Sequence, residues 1–395
     1  MQTKKLYRRH SQVLLSPVPA GITFRSWSDF IILFSIIVLP AGAIRASVVI
    51  SFLALYSIRM ISLGQLLNKE LISIAIVFGI LGVLNFSRPS IELLLLMFYF
   101  SWPKGSIKPC RPLRVFHLWI LLVGLICRCL VYYNPSDFRQ GFGTDPNFFG
   151  IFSLLTFCII FNHSKFAQSS LERRILRIVS LGVFSGISYF TASRLSLLGV
   201  FIFIVLSLIY ERSIGSVKNR LTSIAPFSFL LIFYLLAVVC LVSWSSYALA
   251  SFNFIGGSDS ATLLERSSSL SDYSNQGRWL ANVYWFDQLI SNPDYLMSGL
   301  VGGEDAMKRF LIPHNSFIYA AVASSVLFSG ACLVFVSLTI KSAYRSFSIS
   351  VIPVSLTFVV GSLFLHGFFS AYPIFMLYMA LPSPLDLDSP RKIHS

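Results

Sequence analysis

The stretch TSIAPFSFLLIFYLLAVVCLVSWSSYA, residues 222–248, contains no charged side chain and is dominated by Phe, Leu, Val and Ile. A run of about 20 mostly apolar residues is what an α-helix needs to cross the hydrocarbon core of a bilayer. Helix is the expected conformation, because lipid offers no hydrogen-bond partners to backbone N–H and C=O groups. The stretch therefore predicts a transmembrane helix.

The rest of the chain has a similar composition. Of its 395 residues, 55% are hydrophobic and 12% are charged, against about 25% charged residues in an average soluble domain. Further apolar segments recur at residues 28–44, 46–61, 71–87, 90–103, 115–133, 147–162, 175–193, 195–210, 314–340, 347–366 and 368–381. The pattern predicts an all-α polytopic membrane protein with about twelve transmembrane helices, forming a single integral membrane domain over residues 1–395.

The positions of the basic residues predict the orientation. Lysine and arginine concentrate in the cytoplasmic loops of membrane proteins. With the N-terminus inside, the inner segments hold all 31 basic residues except Arg45, Arg88, Arg128, Arg139, Arg194, Arg266, Arg278, Lys308 and Arg309. Both termini are therefore expected in the cytoplasm, with residues 1–26 as a cytoplasmic leader. The net charge of +15 is then a topology signal with some attraction to anionic lipids, and no nucleic-acid partner is expected.

Two outward segments are longer than simple turns, namely residues 134–146 and residues 249–313. Long loops inside compact proteins are uncommon unless they are functional. We therefore expect both loops at the working, outward face of the protein.

The large loop is expected to hold a short helix at about residues 276–291. Its apolar side chains recur at helical spacing, at Trp279, Val283, Phe286 and Ile290. Ser274 or Asn275 is expected to cap this helix, and Asn292-Pro293 to end it. The helix either packs on its own loop or lies at the membrane surface beside a lipid-linked substrate.

Three ionisable residues at predicted outer helix ends are candidates for chemistry: Arg194, Arg278 and His314. Arg139 in the first outer loop could join them. A guanidinium group offers a planar fork of donors that grips phosphate oxygens in pairs, and an imidazole takes up a proton near neutral pH. The set is plausible for binding a diphosphate and transferring a proton.

The alternative for each residue is structural. A lone arginine at a helix end is usually an anchor whose head group reaches the interface, and this interpretation is preferred for Arg45 and Arg128. Arg88 is expected to pair with Glu92 one turn later, and His117 and His366 to be structural. The sequence shows no phosphate-binding Gly-rich loop, no paired-carboxylate motif and no metal-ligand spacing of cysteines, so no metal or other cofactor is predicted.

Five short motifs, in this order, resemble the bacterial O-antigen polymerase and O-antigen ligase superfamily. They are FGTDPNFFG (142–150), TASRLSLLG (191–199), GRW (277–279), MSGLVGG (297–303) and PHNSF (313–317). The resemblance covers residues 134–340. It implies an inner-membrane glycosyltransferase with one large periplasmic loop, acting on undecaprenyl-diphosphate-linked glycans. A chain-length regulator, a flippase and membrane lipids are its implied partners.

The resemblance also implies roles for individual residues. Arg194 and Arg278 would bind the diphosphate of the lipid-linked donor, and His314 would activate or orient the acceptor hydroxyl. Arg139, Asp145, Asn147 and Asn315 would line the substrate site. The implied reaction is metal-independent glycosyl transfer with oxocarbenium character.

The resemblance leaves two activities open. Ligases often carry a second histidine shortly before the HN pair, whereas here RFLIP precedes His314, which favours a polymerase of lipid-linked repeat units over a ligase that transfers the glycan to lipid A-core. A transporter of lipid-linked oligosaccharides is an alternative of another class, although no repeat between the two halves is visible. A sensor or structural membrane protein is a third.

Overall fold

The computed structural model of the chain describes residues 20–40, 42–62, 69–84, 88–101, 113–137, 140–191, 194–212, 227–251, 273–300, 307, 312–345 and 351–381. Within these ranges the protein is all-helical and has no strand. The α-helices are α1 (Ala20–Val38), α2 (Ala43–Ser62), α3 (Lys69–Leu84), α4 (Arg88–Ser101), α5 (Val115–Val131), α6 (Pro146–His163), α7 (Ser170–Thr191), α8 (Arg194–Arg212), α9 (Phe227–Ser251), α10 (Tyr273–Ser291), α11 (Ser316–Ala323), α12 (Val326–Arg345), α13 (Val351–Phe364) and α14 (Ala371–Met379).

Among the described residues, three helical stretches are long and apolar enough to cross a membrane: Pro146–Phe166, Ile232–Ala250 and Val326–Ala343. The first is 89% buried inside the protein and the second only 28%. A helix that exposes so much apolar surface needs an apolar surrounding. These helices agree with the prediction of a membrane protein, while twelve spans and both termini in the cytoplasm stay predictions.

Helix α6 is the centre of the bundle. It packs against α7, α8 and α14 and is approached by α1 and α5. Its Phe157 ring meets Phe184 of α7 at 5.2 Å and Phe203 of α8 at 5.8 Å between ring centroids. Such edge-on aromatic pairs add specificity to apolar packing. An all-round apolar helix of this kind is expected at the middle of a bundle.

Most predicted segments match helices, but the segment 314–340 does not form one helix. It forms α11 and α12, which are separated at Ser324 and Ser325. The Ser325 hydroxyl accepts a hydrogen bond from the Phe328 N–H at 3.0 Å and so caps α12. The Leu300 N–H donates to the Val322 carbonyl at 2.7 Å, beside the break. The segment is not one uninterrupted helix, because these local bonds compete with helix continuation.

The short helix of the large loop is confirmed as α10, which begins at Tyr273. The predicted cap was wrong, because Ser274 and Asn275 lie inside the helix. The predicted end was right: the Asn292 side chain accepts from the Asp294 N–H at 3.0 Å and starts a short 3-10 helix.

The apolar face of α10 was predicted only in part. Ile290 is 69% exposed, whereas Ala281 and Trp285 are buried and Val283 and Phe286 pack against the core. The helix packs against α9 and α11. It therefore covers the helical bundle rather than only its own loop.

Candidate functional site

The site is built around His314, in the connection between α10 and α11. The His314 backbone N–H donates to the Asn282 side-chain oxygen on α10 at 2.9 Å. The Nδ1 atom of His314 is buried and forms no hydrogen bond with any residue that the structure describes. The residue is thus held in place through its backbone, while one buried ring nitrogen has an unused hydrogen-bonding capacity.

A second histidine lies beside it. The ring centroids of His314 and His366 are 5.3 Å apart, with the rings nearly perpendicular. His366 also packs edge-on against Phe148 of α6 at 4.6 Å and near Tyr319 of α11 at 5.1 Å. These ring contacts agree with the expectation that His366 is structural, and they add a neighbour, His314, that the sequence did not indicate. The signal in the sequence was a histidine followed by Gly367 at the end of an apolar segment.

The two residues after His314 bind the segment that carries His366. The Asn315 amide donates to the Leu363 carbonyl at 3.2 Å. The Ser316 hydroxyl donates to the Leu365 carbonyl at 2.5 Å and accepts from the Phe368 N–H at 3.1 Å. The side chains of Asn315 and Ser316 thus fix the distance between the two histidines through hydrogen bonds to the backbone of the segment that carries His366.

Gly367 makes the approach of this segment to α6 possible. Its φ is +88°, a conformation that L side chains rarely adopt. A Cβ atom at this position would also collide with the Phe148 ring. Glycine is therefore required for His366 to reach both α6 and His314.

The electrostatic setting keeps His314 neutral. Burial lowers the pKa of His314 well below its usual value of 6.5, and the positive charge of Arg278 and the nearby His366 lower it further. Arg278 stands near the start of α10 and is partly exposed. The structure thus brings Arg278 and His314, two of the three predicted catalytic residues, within electrostatic reach of each other. A neutral imidazole can accept a proton.

Arg194 and Arg139 are described less fully. Arg194 is the first residue of α8, after α7 ends at Thr191, which agrees with its expected position at a helix end. The position of its side chain lies outside what the structure describes, as does all of Arg139. The first outer loop is tied to the end of α7, because the Gln140 N–H donates to the Phe190 carbonyl at 2.9 Å. The roles of both arginines stay predictions.

Two of the predicted substrate-binding residues cap helices. The Asp145 carboxylate accepts from the Asn147 N–H at 2.8 Å and from the Phe148 N–H at 3.4 Å, at the start of α6. The Asn315 oxygen accepts from the Phe317 and Ile318 N–H groups at 2.9 and 3.1 Å, at the start of α11. These bonds give both residues a structural role. Their contact with a substrate, and that of Asn147, stays a prediction.

The interpretation of Arg45 and Arg128 as interfacial anchors was wrong, because both side chains are buried. Arg128 donates from Nη1 to the Ile37 and Leu39 carbonyls at 2.7 and 3.1 Å, and from Nε to the Phe142 carbonyl at 2.9 Å. It thereby joins the end of α1 to the first outer loop.

Two other expectations agree with the structure. Arg88 pairs with Glu92 at 2.8 Å. The His117 ring packs against Trp27 at 5.0 Å and Phe30 at 4.5 Å, as expected of a structural residue. Within the described ranges, no group of three or more His, Cys, Asp or Glu side chains could hold a metal ion.

Comparison with known proteins gives no family to set beside this geometry. No protein-family model matches the chain, and no curated protein sequence is similar to it.

Proposed function

We propose that this chain polymerises lipid-linked oligosaccharide repeat units, carried on undecaprenyl diphosphate, at the periplasmic face of the bacterial inner membrane. The reaction is metal-independent glycosyl transfer in the synthesis of O-antigen or another surface polysaccharide. One observation carries the proposal. The His314 ring, whose Nδ1 atom has no hydrogen-bond partner among the described residues, lies within electrostatic reach of Arg278 and 5.3 Å from the His366 ring, measured between centroids.

The proposed reaction is a displacement at the donor sugar. The acceptor hydroxyl attacks the anomeric carbon of the donor sugar, and the bond between that carbon and the diphosphate oxygen breaks. His314 accepts the proton of the hydroxyl. The bonding electrons leave with the diphosphate, whose increased negative charge Arg278 and Arg194 stabilise. A positioned base contributes about 10²–10⁴-fold to such a reaction.

The neighbouring His366 favours a ligase as the second candidate. Ligases often carry a second histidine shortly before the HN pair, which this sequence lacks. In the structure His366 lies 5.3 Å from His314, measured between ring centroids, and so supplies a second imidazole from a different segment. A ligase would transfer the finished glycan from undecaprenyl diphosphate to lipid A-core.

Glycan gels of a deletion strain complemented with variants test the proposal. His314→Ala, Arg278→Ala and Arg194→Ala are expected to abolish long glycan chains, a loss of about a hundredfold or more, at unchanged protein level. His117→Ala and Arg174→Ala are the matched controls, because His117 packs against Trp27 and Phe30 and Arg174 is exposed. Normal chains in all three site variants would refute the site.

The same gels separate the two candidates. If single repeat units reach the surface while longer chains are lost, the enzyme is a polymerase. If long chains accumulate on the carrier lipid, it is a ligase. If single repeat units, still attached to the carrier lipid, stay on the cytoplasmic face of the membrane, the chain is a transporter and both candidates are wrong.

A further inference from the structure

Arg45, near the start of α2, is a buried cation with unused hydrogen-bond donors. Its side chain is 8% exposed, and its Nε and Nη1 atoms are buried without a hydrogen bond to any described residue. Its guanidinium carbon lies 5.0 Å from the Tyr372 ring centroid and 5.8 Å from that of Phe152. Aromatic faces stabilise the charge but satisfy none of the donors.

The neighbours of Arg45 leave an excess of positive charge. Arg88 and Glu92 form an ion pair with each other at 2.8 Å. Arg128 lies within electrostatic reach, and its Nη2 atom is also buried without a hydrogen bond among the described residues. The cluster thus sets three guanidinium groups against one carboxylate. Burying unpaired charge is costly, so such an arrangement favours an anionic ligand.

Tyr372 adds a donor of another kind. Its hydroxyl is buried and makes no hydrogen bond of good geometry, although Arg88 lies close enough for a weak one. The side chain of Arg88 is 61% exposed, so this member of the cluster reaches the surface. Guanidinium forks and a hydroxyl are the donors that bind phosphate oxygens.

Apolar side chains next to members of the cluster in the sequence are exposed. Ile44, next to Arg45 on α2, is 75% exposed, and Ile91 on α4 is 46% exposed. We propose that Arg45, with Arg88 and Tyr372, forms a second anion site that takes a lipid-borne phosphate, its acyl or prenyl chain lying against these apolar side chains. This site is distinct from the His314 site and uses none of its residues.

The two sites are neighbours along α6. Phe148 contacts His366 and Phe152 contacts Arg45, and residues four apart on one helix lie about 6 Å apart along its axis. If the proposed polymerase function holds, on which this step alone depends, the phosphate at Arg45 belongs to the second lipid-linked substrate. The lipid end of the acceptor would then be held one helical turn along α6 from the contact of Phe148 with His366.

Thermal unfolding of the purified full chain in phosphatidylcholine nanodiscs tests the site without requiring activity. The probes are a polyprenyl diphosphate, phosphatidylglycerol and inorganic diphosphate. We expect lipid phosphate to raise the unfolding temperature of the wild type, because a ligand that binds only the folded state stabilises it. Arg45→Met should bind at least about tenfold more weakly, and Tyr372→Phe by a smaller factor. Arg59→Met, an exposed arginine on the same helix, is the matched control.

The probes also assign the source of the phosphate. A larger shift with the polyprenyl diphosphate than with phosphatidylglycerol indicates the carrier-linked substrate, and equal shifts indicate a bilayer headgroup. The proposal would be overturned if lipid raised the unfolding temperature of the wild type and of both variants by the same amount. It would also be overturned if inorganic diphosphate raised that temperature as much as the lipids do. Because no glycan is measured, a chain that fails as a polymerase would still show the Arg45-dependent shift.

Arg45→Met is expected to fold, because it removes a buried charge that has no partner among the described residues. Its unfolding temperature without added phosphate should equal or exceed that of the wild type. A lower temperature would mean that Arg45 stabilises the fold by itself, which contradicts a ligand site. Tyr372→Phe removes a single oxygen atom and provides a second variant for the same comparison.

Discussion

Replacing Arg128 should destabilise the protein, because its guanidinium group binds backbone carbonyls that have no other hydrogen-bond partner among the described residues. Arg128 donates to three buried or partly buried carbonyl groups, two of which belong to the end of α1. The last carbonyls of a helix lack partners within the helix, so Arg128 supplies what α1 cannot. A buried carbonyl left without a partner costs about 1–3 kcal/mol.

For Arg128→Met, three lost bonds set a range of about 3–9 kcal/mol. Methionine preserves the packing against Phe149, whose ring centroid lies 4.7 Å from the guanidinium carbon, and removes the cost of burying a charge. We therefore expect the low end, a loss of about 3 kcal/mol in the free energy of unfolding. Arg128→Lys should lose less stability than Arg128→Met, because its ammonium group can still donate to some of the carbonyls. It should not equal the wild type, because one ammonium group cannot reach all the positions that Nε and Nη1 occupy.

The assay is unfolding by SDS titration in mixed micelles, followed by tryptophan fluorescence. Arg174→Met, at an exposed position on α7, should change the free energy of unfolding by no more than about 0.5 kcal/mol. An Arg128→Met variant as stable as this control would show that Arg128 is an interfacial anchor after all. A lysine variant equal to wild type would refute the three-carbonyl argument.

Two further predictions concern the His314 site. Gly367→Ala should reduce long-chain glycan at least about tenfold on gels while the protein still folds, because the positive φ and the Phe148 ring both exclude a Cβ atom; unchanged glycan would mean that His366 need not lie where it does. The depressed pKa of His314 predicts that the free energy of unfolding falls as the pH drops below about 6.5. The unfolded chain then binds a proton that the folded chain excludes, which gives a slope of at most about 1.4 kcal/mol per pH unit. His314→Gln should flatten that slope in SDS titrations at a series of pH values, and glycan synthesis should persist to pH values well below 6.5; an acid limb at pH 6.5 or above would contradict the buried, neutral state.

Features that depend on neighbours along the chain could be predicted from the sequence. Arg88 and Glu92 are four residues apart, so helical geometry alone brings them together. The loop helix α10 followed from the spacing of its apolar residues. Asp145 before Pro146 is a strong start signal for α6, and the structure has Asp145 as the cap.

Features that depend on contacts between distant segments could not be predicted from the sequence. An arginine at the end of an apolar helix has the same local sequence whether it reaches the interface or binds carbonyls. Only the position of Ile37 and Leu39 beside α5 decides for Arg128. His366 was missed for the same reason, because nothing near it in the sequence indicates that His314 lies beside it.

The interruptions of the helices explain why the candidate site lies where it does. Backbone that leaves a helix in an apolar surrounding must find other hydrogen-bond partners. Asn315 and Ser316 satisfy the carbonyls of Leu363 and Leu365, so the segment after α13 can leave the helix and place His366 against His314. The same three consecutive residues therefore supply the candidate base and the hydrogen bonds that place His366 beside it. A substitution of Ser316 should accordingly act on chemistry through the position of His366, with a loss of function that exceeds its loss of stability.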